Sequence, residues 1–214
     1  MLDLQTLTQA VGNLNEEKAL AMLRNFVAGN PTAAEAGDAL TACRNGMEIV
    51  GDLFDKGEYF IGDLMFSGEL LTGAVEILGP VLNVNSGSAA GKIVLGTVHG
   101  DLHDIGKNIF KSMSEAAGFE VFDLGIDVPV EVFVEKAREI MPDIIGLSGV
   151  LTFAISAMKN TVDGLKAAGL RDKSKIIIGG ACASHDAMVV AGADAWSTNA
   201  AGAVTLCLDW VKKG

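Results

Sequence analysis

Aromatic side chains make up only 6% of the 214 residues, a shortage that argues against the stacking platforms that hold single-stranded nucleic acid. Basic residues are few as well. With 16 of them against 27 acidic ones, the formal net charge of −11 repels phosphate backbones and anionic membranes alike. Neither nucleic acid nor a membrane is an expected partner. The three cysteines, Cys43, Cys182 and Cys207, form no C-x-x-C pair, which excludes a zinc ribbon or dithiol motif and favours a reducing, cytoplasmic setting. No run approaches the ~20 uninterrupted apolar residues of a bilayer-spanning helix. The leading segment MLDLQTLTQAVGNLNEEK carries acids and polar residues where a secretory signal has bases followed by an apolar stretch.

What is plentiful is apolar residues, at 50%, and glycine, at 26 residues, with 8 methionines. That composition supplies a core for one large domain or two small ones, with close backbone approaches and adaptable packing. Residues 1–83 read as helices throughout: Ala19, Met22, Leu23 and Phe26 share one face, Pro31 opens a third helix, and YFIGDLMFSGELLTGAVEIL gives a long fourth. A helical bundle is expected there. Residues 84–90, VNSGSAA, have the composition of a flexible linker. From residue 91 to 214 short β-branched runs (92–98, 120–124, 143–147, 175–178 and 193–197) alternate with helical patterns, the rhythm of a doubly wound parallel sheet. Ligands of such sheets sit at the carboxyl ends of the strands. Charge divides unevenly between the halves, with 12 acids and 4 bases in residues 1–90.

The loop after the first strand, TVHGDLHDIGKNIF, holds two of the three histidines. An aspartate two residues before a histidine in an extended loop can turn its carboxylate onto Nδ1 and leave Nε2 free for a metal, so His103 is the candidate ligand and Asp101 its orienting group. A histidine merely satisfied by a local carboxylate would have the same spacing. No G-x-G-x-x-G or phosphate-loop pattern follows the strand. The next candidate loops are GLSGVLTF, with Ser148 and Thr152, and IIIGGACAS, where Gly179 and Gly180 would let a bulky flat ligand approach the backbone. Structural turns would also explain each of these. Cys182 beside the double glycine reads as an ordinary buried thiol rather than a redox centre, and Lys92, Lys107 and Lys111 read as solvated charges.

In combination, D-L-H-D-I-G, S-G-V-L-T and G-G, on successive strands in this order, resemble the cobalamin-binding domain shared by methionine synthase, the corrinoid proteins of anaerobic methyltransferase systems and the cobalamin-dependent mutases. The resemblance covers residues 91–214 and implies a flavodoxin-like fold. It also implies that His103 is the lower axial ligand of cobalt in a cobalamin or related corrinoid, with Asp101 orienting it. Gly100, Leu102 and Asp104, with Ile105 and Gly106, would line the lower corrin face. Ser148 and Thr152 would meet the nucleotide tail, which would run between the Ser148 and Gly179/Gly180 loops, with Val150 a further cofactor-binding position and Ala200 at another family contact position. Val150 replaces the leucine of the family signature, and Ala154 replaces a serine that completes a His-Asp-Ser relay in methionine synthase, leaving Ser156 or water as substitutes. Residues 1–83 resemble the helical cap of methionine synthase and the corrinoid proteins, which implies that Phe60 covers the upper face, with Leu70, further along the same helix, as a second cofactor-binding position. Gly62 and Asp63 depart from a common Pro-Gln there. Phe60, Met65, Phe66 and Leu70 would equally suit a bundle core. The function implied is that of a non-catalytic methyl carrier between a donor-specific methyltransferase and an acceptor methyltransferase for tetrahydrofolate or a thiol, with a reductive activase as a further partner. A cobalamin-binding sensor is the alternative.

Overall fold

The computed structural model describes residues 2–82 and 90–212, so the expected linker lies, Ala90 apart, outside the described residues. The chain divides into two units, Met1–Ala89 and Ala90–Gly214. In the first, helices α1 (Leu4–Gly12), α2 (Glu16–Ala28), α3 (Ala33–Asp55) and α4 (Ile61–Leu82) pack as a bundle in which α3 touches α1 and α4, and α2 touches α4. Their starts are capped by side chains. Asp3 accepts the Thr6 amide at 3.0 Å and Asn15 the Lys18 amide at 3.1 Å. Thr32 and Glu35 form a reciprocal capping box, each such cap contributing about 1 kcal/mol. The cap moves the start of α3 to Ala33, leaving Pro31 just outside the helix it was expected to open. Close approach explains part of the glycine content: a Cβ on Gly46 of α3 would stand 2.5 Å from Val11 Cβ of α1.

Helix α4 differs from the expectation drawn from uninterrupted runs. Its length and its mean hydropathy of 1.3 over the most apolar window would suffice to cross a membrane. Its buried residues Leu64, Ser67, Leu71, Ala74 and Leu78 nevertheless recur at helical spacing and α4 packs on α2 and α3, as the core helix of a bundle does.

The second unit is a parallel sheet of β1 (Lys92–Thr97), β2 (Glu120–Asp123), β3 (Ile144–Ser148), β4 (Lys175–Gly179) and β5 (Ala195–Ser197) in the order β2-β1-β3-β4-β5. The helices are α5 (Ile105–Ala116), α6 (Val130–Ile140), α7 (Ala154–Ala167), α8 (His185–Ala191) and α9 (Ala200–Lys212). Strand side chains alternate between faces: Val94, Ile145, Leu147, Ile176 and Ile178 are buried with Phe133 of α6 and Met158 of α7, and the intervening residues are left to the side of α5 and α9. This is the flavodoxin-like order, and its reversal between β1 and β3 opens a crevice at the carboxyl ends of those strands.

Candidate functional site

At the end of β1 the chain must turn sharply, and Gly100 does so at φ +84°, where an L side chain is strained. Beyond it the Asp101 carboxylate is wholly buried and its four hydrogen bonds divide cleanly between two segments. One oxygen accepts the His103 amide at 3.0 Å and lies 2.7 Å from His103 Nδ1; the other accepts the amides of Val150 at 2.8 Å and Leu151 at 3.1 Å. Burial alone would raise the Asp101 pKa, but the amides of His103, Val150 and Leu151 and the His103 ring outweigh it and hold the carboxyl well below its usual range. An ionised carboxylate only accepts, so Nδ1 carries the proton and Nε2 the lone pair. Nε2 has no hydrogen-bond partner among the described residues, and the ring is 53% exposed.

Ala154 is buried at the start of α7, Ser156 is not among the hydrogen-bond partners of Asp101, and two backbone amides of the β3–α7 loop donate to its second carboxylate oxygen. Because asparagine has a single acceptor oxygen, Asp101→Asn cannot satisfy His103 and the 150–151 amides together. Its NH₂ would face either donors or the imidazole N–H. We expect a loss of about 2–4 kcal/mol in urea unfolding of the cofactor-free protein. The lowered pKa also sets a sign: the stabilisation is complete above the ordinary carboxylate value and lost as pH falls, so wild type should lose stability faster than the variant below about pH 4. Parallel stability curves for the two proteins across that range would contradict this account.

The remaining loops converge because their strands are neighbours. Ser148 ends β3 beside Thr97 of β1 on one side and Gly179 of β4 on the other, which brings Gly100–Gly106, Val150, Thr152 and Gly179–Gly180 to one edge. Gly180 has φ +100°, and a Cβ there would lie 2.0 Å from the Gly149 carbonyl oxygen. Ala200 begins α9, after a turn in which Asn199 Oδ1 accepts the Ala201 amide at 2.9 Å. Cys182 donates to the Gly149 carbonyl at 3.2 Å, and burial raises its pKa; burial likewise pushes Cys43 and Cys207 up to about 12, which leaves all three as protonated thiols. In the helical unit, Phe60 is 71% exposed and Leu70 has no exposed surface, so the two do not share an environment. The Phe60 amide donates to Asp63 at 2.8 Å, so the Asp63 that departs from the family pattern caps the entry to α4.

Three groups escaped sequence reasoning. Thr97, fully buried, donates its hydroxyl to the His103 carbonyl at 3.0 Å. His99 forms an exposed pair with Asp127 at 2.7 Å. Lys107, expected to be solvated, is instead buried against Asp123 with a contact of 2.6 Å, a correction that only tertiary packing could supply.

A family model described as B12 binding domain matches residues 91–205, and a second model of the same description matches residues 3–78. The chain belongs to the B12-binding family. Dimethylamine corrinoid protein 1 of Methanosarcina acetivorans is 44% identical over 160 residues, which are 74% of this chain and 75% of that protein. A crystal structure of a cobalamin-binding protein from Desulfitobacterium hafniense DCB-2 is 50% identical with a TM-score of 0.89, over 98% of this chain and 99% of that one. The methanol:cobalamin methyltransferase complex of Methanosarcina barkeri contains a chain that is 26% identical with a TM-score of 0.65, over 97% of this chain and 79% of that one. This B12-binding protein is thus a corrinoid protein closely related to methylamine corrinoid carriers.

The residues present fit a corrinoid. One imidazole with a free Nε2 is what an axial ligand requires, and among the described residues no cluster of three or more His, Cys, Asp or Glu side chains offers a rival metal site. Around it Leu102, Ile105, Leu151 and Phe153 are exposed apolar side chains, a seat for a flat apolar ring rather than for water. Gly106 lies in the first turn of α5, its φ is not positive, and a Cβ on it would meet nothing within 4 Å, as is also true of Gly37, Gly62 and Gly79 in the helical unit.

Proposed function

We propose that this B12-binding protein carries a methyl group on the cobalt of a corrinoid, receiving it from a donor-specific methyltransferase and yielding it to an acceptor methyltransferase. The observation that carries the reading is the buried Asp101 carboxylate holding His103 with Nε2 outward. The corrinoid, when bound, would supply a metal able to accept and give up a methyl group, and His103 would hold that metal. The protein's part is to bind, orient and shield. Asp101 fixes the ring and its tautomer, and stays a carboxylate because three amides hold it so. The Gly100–Gly106 segment would lie beneath the ring, and Ser148, Val150, Thr152, Gly179, Gly180 and Ala200 would receive the tail.

The names of the related proteins favour methylated amines as donors. The methyl-carrier reading in turn calls for an amine-specific methyltransferase, an acceptor methyltransferase using tetrahydrofolate or a thiol, and a reductive activase as partners. Free cysteines, two of them buried, suit a reducing compartment such as the cytoplasm. Methyl transfer from dimethylamine, monomethylamine and methanol, each assayed with its own methyltransferase, tests the reading. Transfer from an amine supports it; binding of cobalamin with no transfer from any of the three would favour the sensor.

The exposure of Phe60 separates two expectations for that residue. At 71% exposure it is not bundle core, so Phe60→Ala should change the unfolding free energy of the cofactor-free protein by no more than about 0.5 kcal/mol, rather than the 3–5 of a buried phenylalanine. If Phe60 shields the methyl group, the same variant loses it faster in light or air. Unaltered loss would end the shielding role. Leu70, being buried, reaches a ligand only if α4 repacks.

A further inference from the structure

A closed circuit of hydrogen bonds runs around the His103 loop. Lys107, in the first turn of α5, is 2% exposed in its side chain, and its ammonium uses all three donors: Asp123 Oδ1 at 2.7 Å, Asp123 Oδ2 at 2.6 Å and Asn108 Oδ1 at 2.9 Å. From Asn108 the circuit continues, its Nδ2 donating to Asp104 Oδ2 at 3.1 Å, one residue beyond His103. On the other side the Asp123 carboxylate accepts the Gly125 amide at 2.9 Å, and the Gly125 carbonyl accepts the Thr97 amide at 3.0 Å. The Thr97 hydroxyl then closes the circuit on the His103 carbonyl.

We propose that Lys107, through its ion pair with Asp123, is a positioning residue for His103, setting where the imidazole stands rather than merely tying α5 to β2. The physical reason lies in what such a pair costs. Desolvating two charges usually cancels their attraction, so an apolar pair of similar volume would serve stability as well or better. What apolar side chains cannot do is pass a directional constraint through Asn108, Gly125 and Thr97 to both ends of residue 103. Asp101 fixes the ring from one side, and this circuit holds the backbone that carries it. The circuit would thus restrain the loop whether or not the ring holds a metal. The role rests on the corrinoid reading, and the test keeps the two apart.

Removing one charge alone leaves the other buried and could unfold the unit, so the decisive variant is the double replacement Lys107→Met/Asp123→Leu in the full chain. Arg171→Met/Asp194→Leu serves as control, because that pair bonds the Gly192 carbonyl and the Ile176 amide, away from the loop. Two readouts are needed. In protein reconstituted with cobalamin and labelled histidine, Co(II) electron paramagnetic resonance should show the ratio of His-bound to His-free cobalt falling about tenfold in the first variant and unchanged in the control. In the cofactor-free protein, amide exchange of Leu102–Ile105 should quicken relative to α7, again only in the first variant. A folded Lys107→Met/Asp123→Leu protein with unchanged coordination ratio and exchange overturns the proposal. So does failure of that variant to fold, which would assign the pair to global stability. Absence of histidine coupling in the wild type would instead overturn the corrinoid reading itself.

Discussion

His103→Ala, reconstituted with cobalamin, should lose all nitrogen superhyperfine coupling from labelled histidine in the Co(II) spectrum. The cofactor-free fold should be little changed. The ring is half exposed, and the two backbone bonds of residue 103, from its amide to Asp101 and from Thr97 to its carbonyl, do not depend on the side chain. Only the Nδ1 hydrogen bond to Asp101 is lost, and three amides still hold that carboxylate, so the stability cost should be about 1–2 kcal/mol. The combination is diagnostic: coordination abolished with the fold intact. Wild-type coupling from the cofactor's own dimethylbenzimidazole, or coupling that persists in the variant, would remove His103 from the cobalt.

The second large effect concerns two glycines whose environments are opposite. Gly180→Ala places a Cβ 2.0 Å from the Gly149 carbonyl oxygen at a residue with φ +100°, so both the loop and the backbone would have to move. Strain of about 1–3 kcal/mol from the dihedral and a similar amount from overpacking predict a loss of roughly 3 kcal/mol or more, read from urea unfolding of the cofactor-free protein. Gly106→Ala should do the reverse. Alanine in the first turn of α5 meets nothing and is the better helix former, so unfolding stability should rise by up to about 1 kcal/mol. Cobalamin affinity should nevertheless fall, because the added methyl group enters the space assigned to the corrin. A Gly106→Ala protein that is more stable and binds equally well would contradict the placement of the ring against α5.

Much of this site could be read without coordinates because it is local. The Asp101–His103 pair needs only two-residue spacing in a strand-end loop, and the same spacing produces the 2.7 Å contact in the folded chain. The convergence of the three loops also follows from the chain order, since short β-branched runs separated by helices pair in parallel and present their following loops at one edge. Lys107 shows where this stops. A lysine one residue after a helix-opening glycine reads as solvated, and its burial depends on Asp123, 16 positions away on a neighbouring strand. Phe60 and Leu70 illustrate the same limit on a single helical pattern, since both are apolar while one is exposed and the other is not.

The amino-acid sequence by itself determined the bundle, the parallel sheet and the strand-end loop in which Asp101 meets His103. Periodicity, capping and spacing act within a few residues and are written in the chain. Tertiary structure alone decided what holds that histidine in place. The Val150 and Leu151 amides on Asp101 and the buried Lys107–Asp123 pair are contacts between separate segments of the chain, and the Thr97 hydroxyl meets the His103 carbonyl only across the turn after β1. Backbone amides in particular carry no residue identity, so no sequence pattern marks the ones that keep Asp101 ionised; they act only where folding sets β3 beside β1.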